Sequence, residues 1–263
     1  MNRVVRWFRR HDTFWLPVTS LFVFLALWQL ASTSGIVQER FFSSPVGVVQ
    51  AGIKTVQDDR FWNDVSISAS EFAVGYAVAV VVAIPFGVVS ALYRRLGYAV
   101  EPFLNGLNAT PRIALLPLIV LWAGIGWPAT TVTVFIGVFM PIAINAFYAV
   151  RTVDRGFLTV ANHFGASQRR KLRTVILPSV VPFVLAGARL GIGRGVLGVV
   201  IGEFYSSTAG LGNFIFVAGA TLQIDKIIFG ALFMTTIALV AFLALERVER
   251  RVESWRPDLE FGT

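Results

Sequence analysis

The chain has 263 residues, of which 56% are hydrophobic and only 14% charged, with 23 Lys+Arg, 15 Asp+Glu and a formal net charge of +8. Its mean hydropathy is +0.70. Soluble domains are about 45–50% apolar and about 25% charged, and a soluble surface of this size needs a fuller charged shell, so an ordinary soluble enzyme, a disordered chain and a collagen-like repeat are excluded. With no cysteine there is no disulfide framework, thiolate metal site or cysteine nucleophile, and His11 and His163 do not make a zinc site by themselves. What remains is an all-α membrane protein.

A membrane helix needs about 20 apolar residues. In residues 1–13, Arg3, Arg6, Trp7 and Arg10 fall at helical spacing, so this segment is either a helix lying along lipid headgroups or a basic tail. Phe14–Ala31 supplies the first span, too long for a signal-peptide core and therefore an uncleaved anchor. Ser44-Pro45 pairs a capping hydroxyl with a first-turn proline and predicts a short external helix over about 45–57. Its stripe of Val46, Val49, Ile53 and Val56 is expected to lie on the membrane-facing mass. Phe72–Tyr93 is the second span. Ile113–Val150 carries no charge over 38 residues, and the Gly124–Pro128 break divides it into a third span from about Pro102 to Ala123 and a fourth from about Ala129 to Ala149. The fifth runs from about Val175 to Tyr205 and the sixth over Ile227–Leu245. This predicts one transmembrane domain over 1–263, with a six-helix core at 14–249 and a tail at 250–263.

Basic residues favour the cytoplasmic side. Sixteen of the 23 Lys+Arg fall in alternate segments, at the N-terminus, at Arg94 and Arg95, from Arg151 to Arg173, and from Arg247 onwards. Four (Arg40, Lys54, Arg60 and Lys226) fall in the others. Both termini are therefore expected in the cytoplasm. A nucleic-acid surface is excluded, because the charge is dispersed over every second loop. Trp15, Trp28, Trp122, Trp127, Tyr93, Tyr98 and Tyr205, near the span ends, read as an interfacial belt.

The cytoplasmic loop at about 151–173 is the most informative stretch. Asp154 can cap a helix, and Phe157, Leu158, Ala161 and Phe164 share one apolar face before Gly165 ends it. Thr159 and His163 lie on the same short helix, and Arg169, Arg170, Lys171 and Arg173 follow. Two turns cannot fold alone, so the apolar face is covered by the protein's own helix ends, by the membrane surface or by a partner's groove.

Within the spans, Gly187, Gly191, Gly195, Gly198 and Gly202 form one stripe at about 100° per residue, which lets helix backbones approach closely. They are expected to pack in the bundle core or against a second subunit. Arg112, Arg189, Arg194 and Glu203 are charges inside predicted spans, where exposure to lipid costs at least about 2.5–3.5 kcal/mol. They line a positive pathway for an anion or form interhelical pairs and caps. Arg189 and Glu203 lie too far apart along their helix to meet. Gly193-x-Gly195-x-x-Gly198 matches a dinucleotide fingerprint on paper but lies in an apolar span with no preceding strand, and no phosphate-cradling Gly-x4-Gly-Lys-Ser/Thr loop occurs.

Ala161…Gly165 followed by Ile176-Leu177-Pro178 resembles the EAA loop of permease subunits of binding-protein-dependent ABC importers. The likeness continues through Ser44-Pro45, Pro102, Thr110–Leu118, Trp122–Gly126, Pro141…Asn145, Val150–Asp154, Gly187–Leu190, Gly202-Glu203-Phe204 and Gly210-Leu211-Gly212. It is nearest to the sulfonate/nitrate/taurine branch. The resemblance implies a type I importer fold in the bacterial inner membrane and a paired second permease subunit. It also implies two cytoplasmic ATP-binding subunits that hold ATP-Mg, an external substrate-binding protein, and no cofactor, metal or catalytic residue in this chain. Phe157, Leu158, Thr159, Ala161, Phe164, Gly165 and Arg169 would form the coupling contact. Arg112, Arg189, Arg194 and Glu203 would line the path of a small anion such as a sulfonate, taurine or nitrate. Two positions depart from the pattern. Thr159 replaces the motif's glutamate, and Glu71 stands where the family often has arginine. The alternatives are a self-contained ion-coupled carrier or channel, or a membrane scaffold.

Overall fold

The computed structural model describes residues 12–34 and 42–252, and helix is the regular structure they adopt. The expected segment at 1–13 lies almost wholly outside these residues, as does most of the tail at 250–263. The helices are α1 (Asp12–Thr33), α2 (Pro45–Thr55), α3 (Asp59–Leu92), α4 (Arg94–Ala109), α5 (Leu116–Ala123), α6 (Trp127–Arg151), α7 (Arg155–His163), α8 (Gln168–Lys171), α9 (Leu177–Ser206), α10 (Leu211–Ala220) and α11 (Ile224–Val252). Among the described residues five helical stretches are long and apolar enough to cross a bilayer, and α4 with α5, bent by 96°, meets the same length and hydropathy only as a pair.

That bend falls inside the third span, expected from about Pro102 to Ala123. Thr110 is extended (ψ 130°) and Pro111 follows with ψ 108°, before a 3-10 turn at Arg112–Leu115. Proline has no N–H to continue the ladder and drives the preceding residue out of the α region. The break after Ala123 occurs where the glycines predict it, with Gly124 and Gly126 at φ 88° and 87°.

The chain divides into two compact units. In the first (residues up to Trp62, with 214–232), Ser44 caps α2 by accepting from the Gly47 amide at 3.0 Å, and Pro45 takes the first turn. Val48, Gly52 and Thr55 are the buried residues of α2, whereas Val46, Val49 and Ile53 are exposed. The expectation for the α2 stripe is thus reversed. A Cβ on Gly52 would strike the Phe229 ring at 2.6 Å, so the glycine face is the one that is covered. Phe61 packs edge-on against Phe214 and tilted against Phe229.

In the second unit (63–213, with the residues from 233 onwards), α6 is the most buried span. Gly75 and Gly87 of α3 lie against its Thr131, Val134, Ala143 and Ala146. The α9 glycine stripe packs on another side of α6. A Cβ on Gly187, Gly195, Gly198 or Gly202 would come within 3.0 Å of Pro141, Val138, Val134 or Thr130 respectively, and one on Gly191 within 3.1 Å of Val138. The stripe therefore serves the core of this one chain. Tyr76 on α3 donates to the Ala188 carbonyl of α9 at 2.9 Å. Val88, Ala146, Ala149 and Val180 close the core at the loop end.

Candidate functional site

Two places in the second unit carry the residues singled out above. The first is α7. Asp154 caps it by accepting from the Gly156 amide at 2.7 Å. At the other end the Gly165 amide donates to Asn162 O and the Ala166 amide to Ala161 O, each at 2.9 Å. These are the paired bonds of a Schellman ending, which requires the left-handed residue that Gly165 provides at φ 67°.

No residue of this helix is buried. Phe157 is 64% exposed, Val160 55% and Phe164 87%, whereas Leu158 and Ala161 are half-buried. The unpartnered stripe is therefore Phe157, Val160 and Phe164, at i, i+3 and i+7. Val160 does not stand out in the sequence, because Leu158 competes for the same apolar face. Thr159 is exposed, and its carbonyl meets His163 Nδ1 at 2.8 Å. Arg169 is exposed on α8. A cavity of about 420 Å³ lies beside Phe157, lined also by Ala149, Val153, Ser179, Pro182 and Phe183.

The second place is the bend between α4 and α5. Arg194 of α9 donates from Nη1 to Asn108 Oδ1 at 2.8 Å, and Arg112 in the 3-10 turn lies within electrostatic range of Arg194. Gly137 of α6 makes room for both: a Cβ there would be 3.0 Å from Arg194 O and 3.3 Å from Arg112 Nη1. Neither guanidinium is ion-paired among the described residues. Two half-buried cations with open donor sites form a positive locus suited to oxygen pairs of an anion. Asn108 is not legible in the sequence, because its link to Arg194 depends on the Pro111 bend.

The other two charges lie elsewhere. Arg189 is ion-paired with Glu249 of α11 and stands 5.0 Å above the Phe242 ring. Glu203 is fully buried. Its carboxylate accepts from the Ser68 hydroxyl and the Gly212 amide, while Ser68 Oγ itself accepts from the Leu211 amide at 2.8 Å. Gly210, at φ 109°, donates to Asp64 at 2.8 Å, and the position of its missing Cβ is filled by the Glu203 carboxylate. The Glu203 carboxylate is thus held by a hydroxyl and a backbone amide. The structure brings Arg112 and Arg194 together and leaves Arg189 and Glu203 apart from them.

Known proteins resemble this chain along most of its length. The Escherichia coli (strain K12) taurine transport system permease protein TauC is 28% identical over 250 residues, 93% of this chain and 91% of that one. SsuC of the same organism, named as an aliphatic sulfonates transport permease protein, is 29% identical over 254 residues, 97% and 95% of the two chains. Among solved structures, a chain of the inward-facing MetNI methionine ABC transporter matches with a TM-score of 0.63 at 20% identity, covering 73% of this chain and 96% of that one. A bacterial ABC transporter involved in import of the acidic polysaccharide alginate matches at 0.60 and 14% identity, covering 95% and 99%. At those identities the structural likeness establishes the fold alone. Residues 83–254 match the family of binding-protein-dependent transport system inner membrane components, and the chain belongs to that family, the multi-pass permease subunits of ABC importers.

Proposed function

We propose that this subunit forms the solute pathway of an ATP-driven importer in the bacterial inner membrane and passes a small sulfonate-type anion inward. Its termini and α7 face the cytoplasm, two such permeases pair, and each seats α7 in a groove of a separate ATP-binding subunit. An external binding protein delivers the solute. The names of the taurine and aliphatic sulfonate relatives support the anion, as do the guanidiniums of Arg112 and Arg194, which form no ion pair among the described residues.

The observation that carries the reading is the solvent-facing stripe of Phe157, Val160 and Phe164 on a helix with both ends capped. Nine residues do not hold a helix in water without tertiary support, and apolar anchors at this spacing are how a helix fills a groove. The test is Phe157→Asp and Phe164→Asp, followed by co-purification with the ATP-binding subunit and by solute uptake into vesicles. Both should be lost while the amount of chain in the membrane is unchanged. Uptake and co-purification at the original level would overturn the reading, and uptake by the lone chain would favour a self-contained carrier. For the pathway, Arg194→Ala should lower uptake more than assembly; equal loss of both would remove Arg194 from it.

A further inference from the structure

Glu71 of α3 has no place in the scheme above. It is fully buried, and neither of its carboxyl oxygens accepts a hydrogen bond from a described residue. One turn earlier on the same helix, Ser68 donates to Glu203. The Glu71 carboxyl is aimed at the same place, within hydrogen-bonding range of the Glu203 carboxyl and close to Thr130 of α6. The Thr130 hydroxyl is directed at the Gly126 carbonyl of its own helix, 3.5 Å away. The neighbouring titratable group is Asp64, which accepts from the Gly210 amide.

Two ionised carboxylates offer only lone pairs to each other, so this contact closes only if one of them carries a hydrogen. In a dry interior like charges do not both ionise. Both Glu203 oxygens already accept, one from the Ser68 hydroxyl and one from the Gly212 amide, so the hydrogen between the two carboxyls is placed on Glu71, whose oxygens accept none from the described residues.

We propose that Glu71 and Glu203 form a one-proton site inside the membrane, in which a neutral Glu71 donates its O–H to the Glu203 carboxylate. The proton pins α3 to α9 and to the turn at 207–212. A metal cation is the other occupant such a pair can hold, but it needs about six oxygens. Two of the four carboxyl oxygens are already engaged, and no third acid, histidine or cysteine completes a metal cluster among the described residues. The site is separate from the Arg112–Arg194 locus and does not depend on the solute.

Infrared spectroscopy of the full chain reconstituted in vesicles at neutral pH tests this. A protonated-carboxyl C=O stretch is expected, assigned to glutamate by its shift on 13C-carboxyl-glutamate labelling, unchanged by adding sodium or potassium, and lost in Glu71→Gln. Should that variant fail to accumulate, Glu71→Arg serves instead: it supplies an ion pair to Glu203, should fold, and should also lack the band. A wild-type spectrum with no such band, a band undiminished in both variants, or one abolished by sodium would overturn the proposal, the last in favour of a cation site.

Discussion

Replacing Gly202 by alanine tests whether the α6–α9 contact holds the permease together. The new Cβ would sit 2.8 Å from Thr130 Cα and 2.8 Å from its Cγ2, against an ordinary contact distance of 3.4–4 Å. One of the two obstructing atoms is backbone, so turning a side chain does not relieve the clash and the helices must part by about half an ångström. Overpacking of this kind costs roughly 1–3 kcal/mol. Removing a mid-helix glycine also returns about 0.5–1 kcal/mol of backbone entropy, which would blur a single measurement. Gly193 supplies the control: it lies on the same helix, and a Cβ there meets nothing within 4 Å. The entropy gain is common to both variants, so their difference isolates the crowding. Denaturant unfolding of the full chain in detergent should therefore place Gly202→Ala about 1–3 kcal/mol below Gly193→Ala. Equal stabilities would show that α6 and α9 are not in close contact along this stripe.

Asp154→Ala removes the cap on α7 and should cost about 1 kcal/mol, read as roughly fivefold faster hydrogen exchange of the first-turn amides, with the rest of the chain unchanged. Gly165→Ala forces a Cβ into a left-handed conformation and should destabilise the end of the same helix by about 1–2 kcal/mol, although the space around it is open. Glu249→Gln and Arg189→Met, taken singly and together, should give a coupling of about 1 kcal/mol in unfolding measurements. The two side chains are 13% and 30% exposed respectively, between the surface and buried regimes. Uptake per folded chain should not change in either variant; a fall in uptake at constant stability would return Arg189 to the solute path.

The features that follow from neighbours in the chain were legible in the sequence. Runs of apolar residues mark the spans because only about 20 in succession cross the hydrocarbon. The Asp154 cap, the Gly165 ending, the Ser44-Pro45 start and the Gly124–Gly126 break each depend on bonds or angles within a few residues. Even the glycine stripe on α9 is visible as a period, since a helix places every third or fourth residue on one face.

What periodicity cannot name is the neighbour on that face. Only packing decided that Val48 and Gly52, rather than Val46 and Val49, are covered on α2, and that the α9 stripe meets α6 of its own chain. Only the Pro111 bend carries Arg112 to Arg194, and only the crossing of α3 with α9 sets Glu71 against Glu203, 132 positions away in the chain. A charge's role depends on what lies within a few ångströms of it, and the fold, not the order of residues, sets those distances.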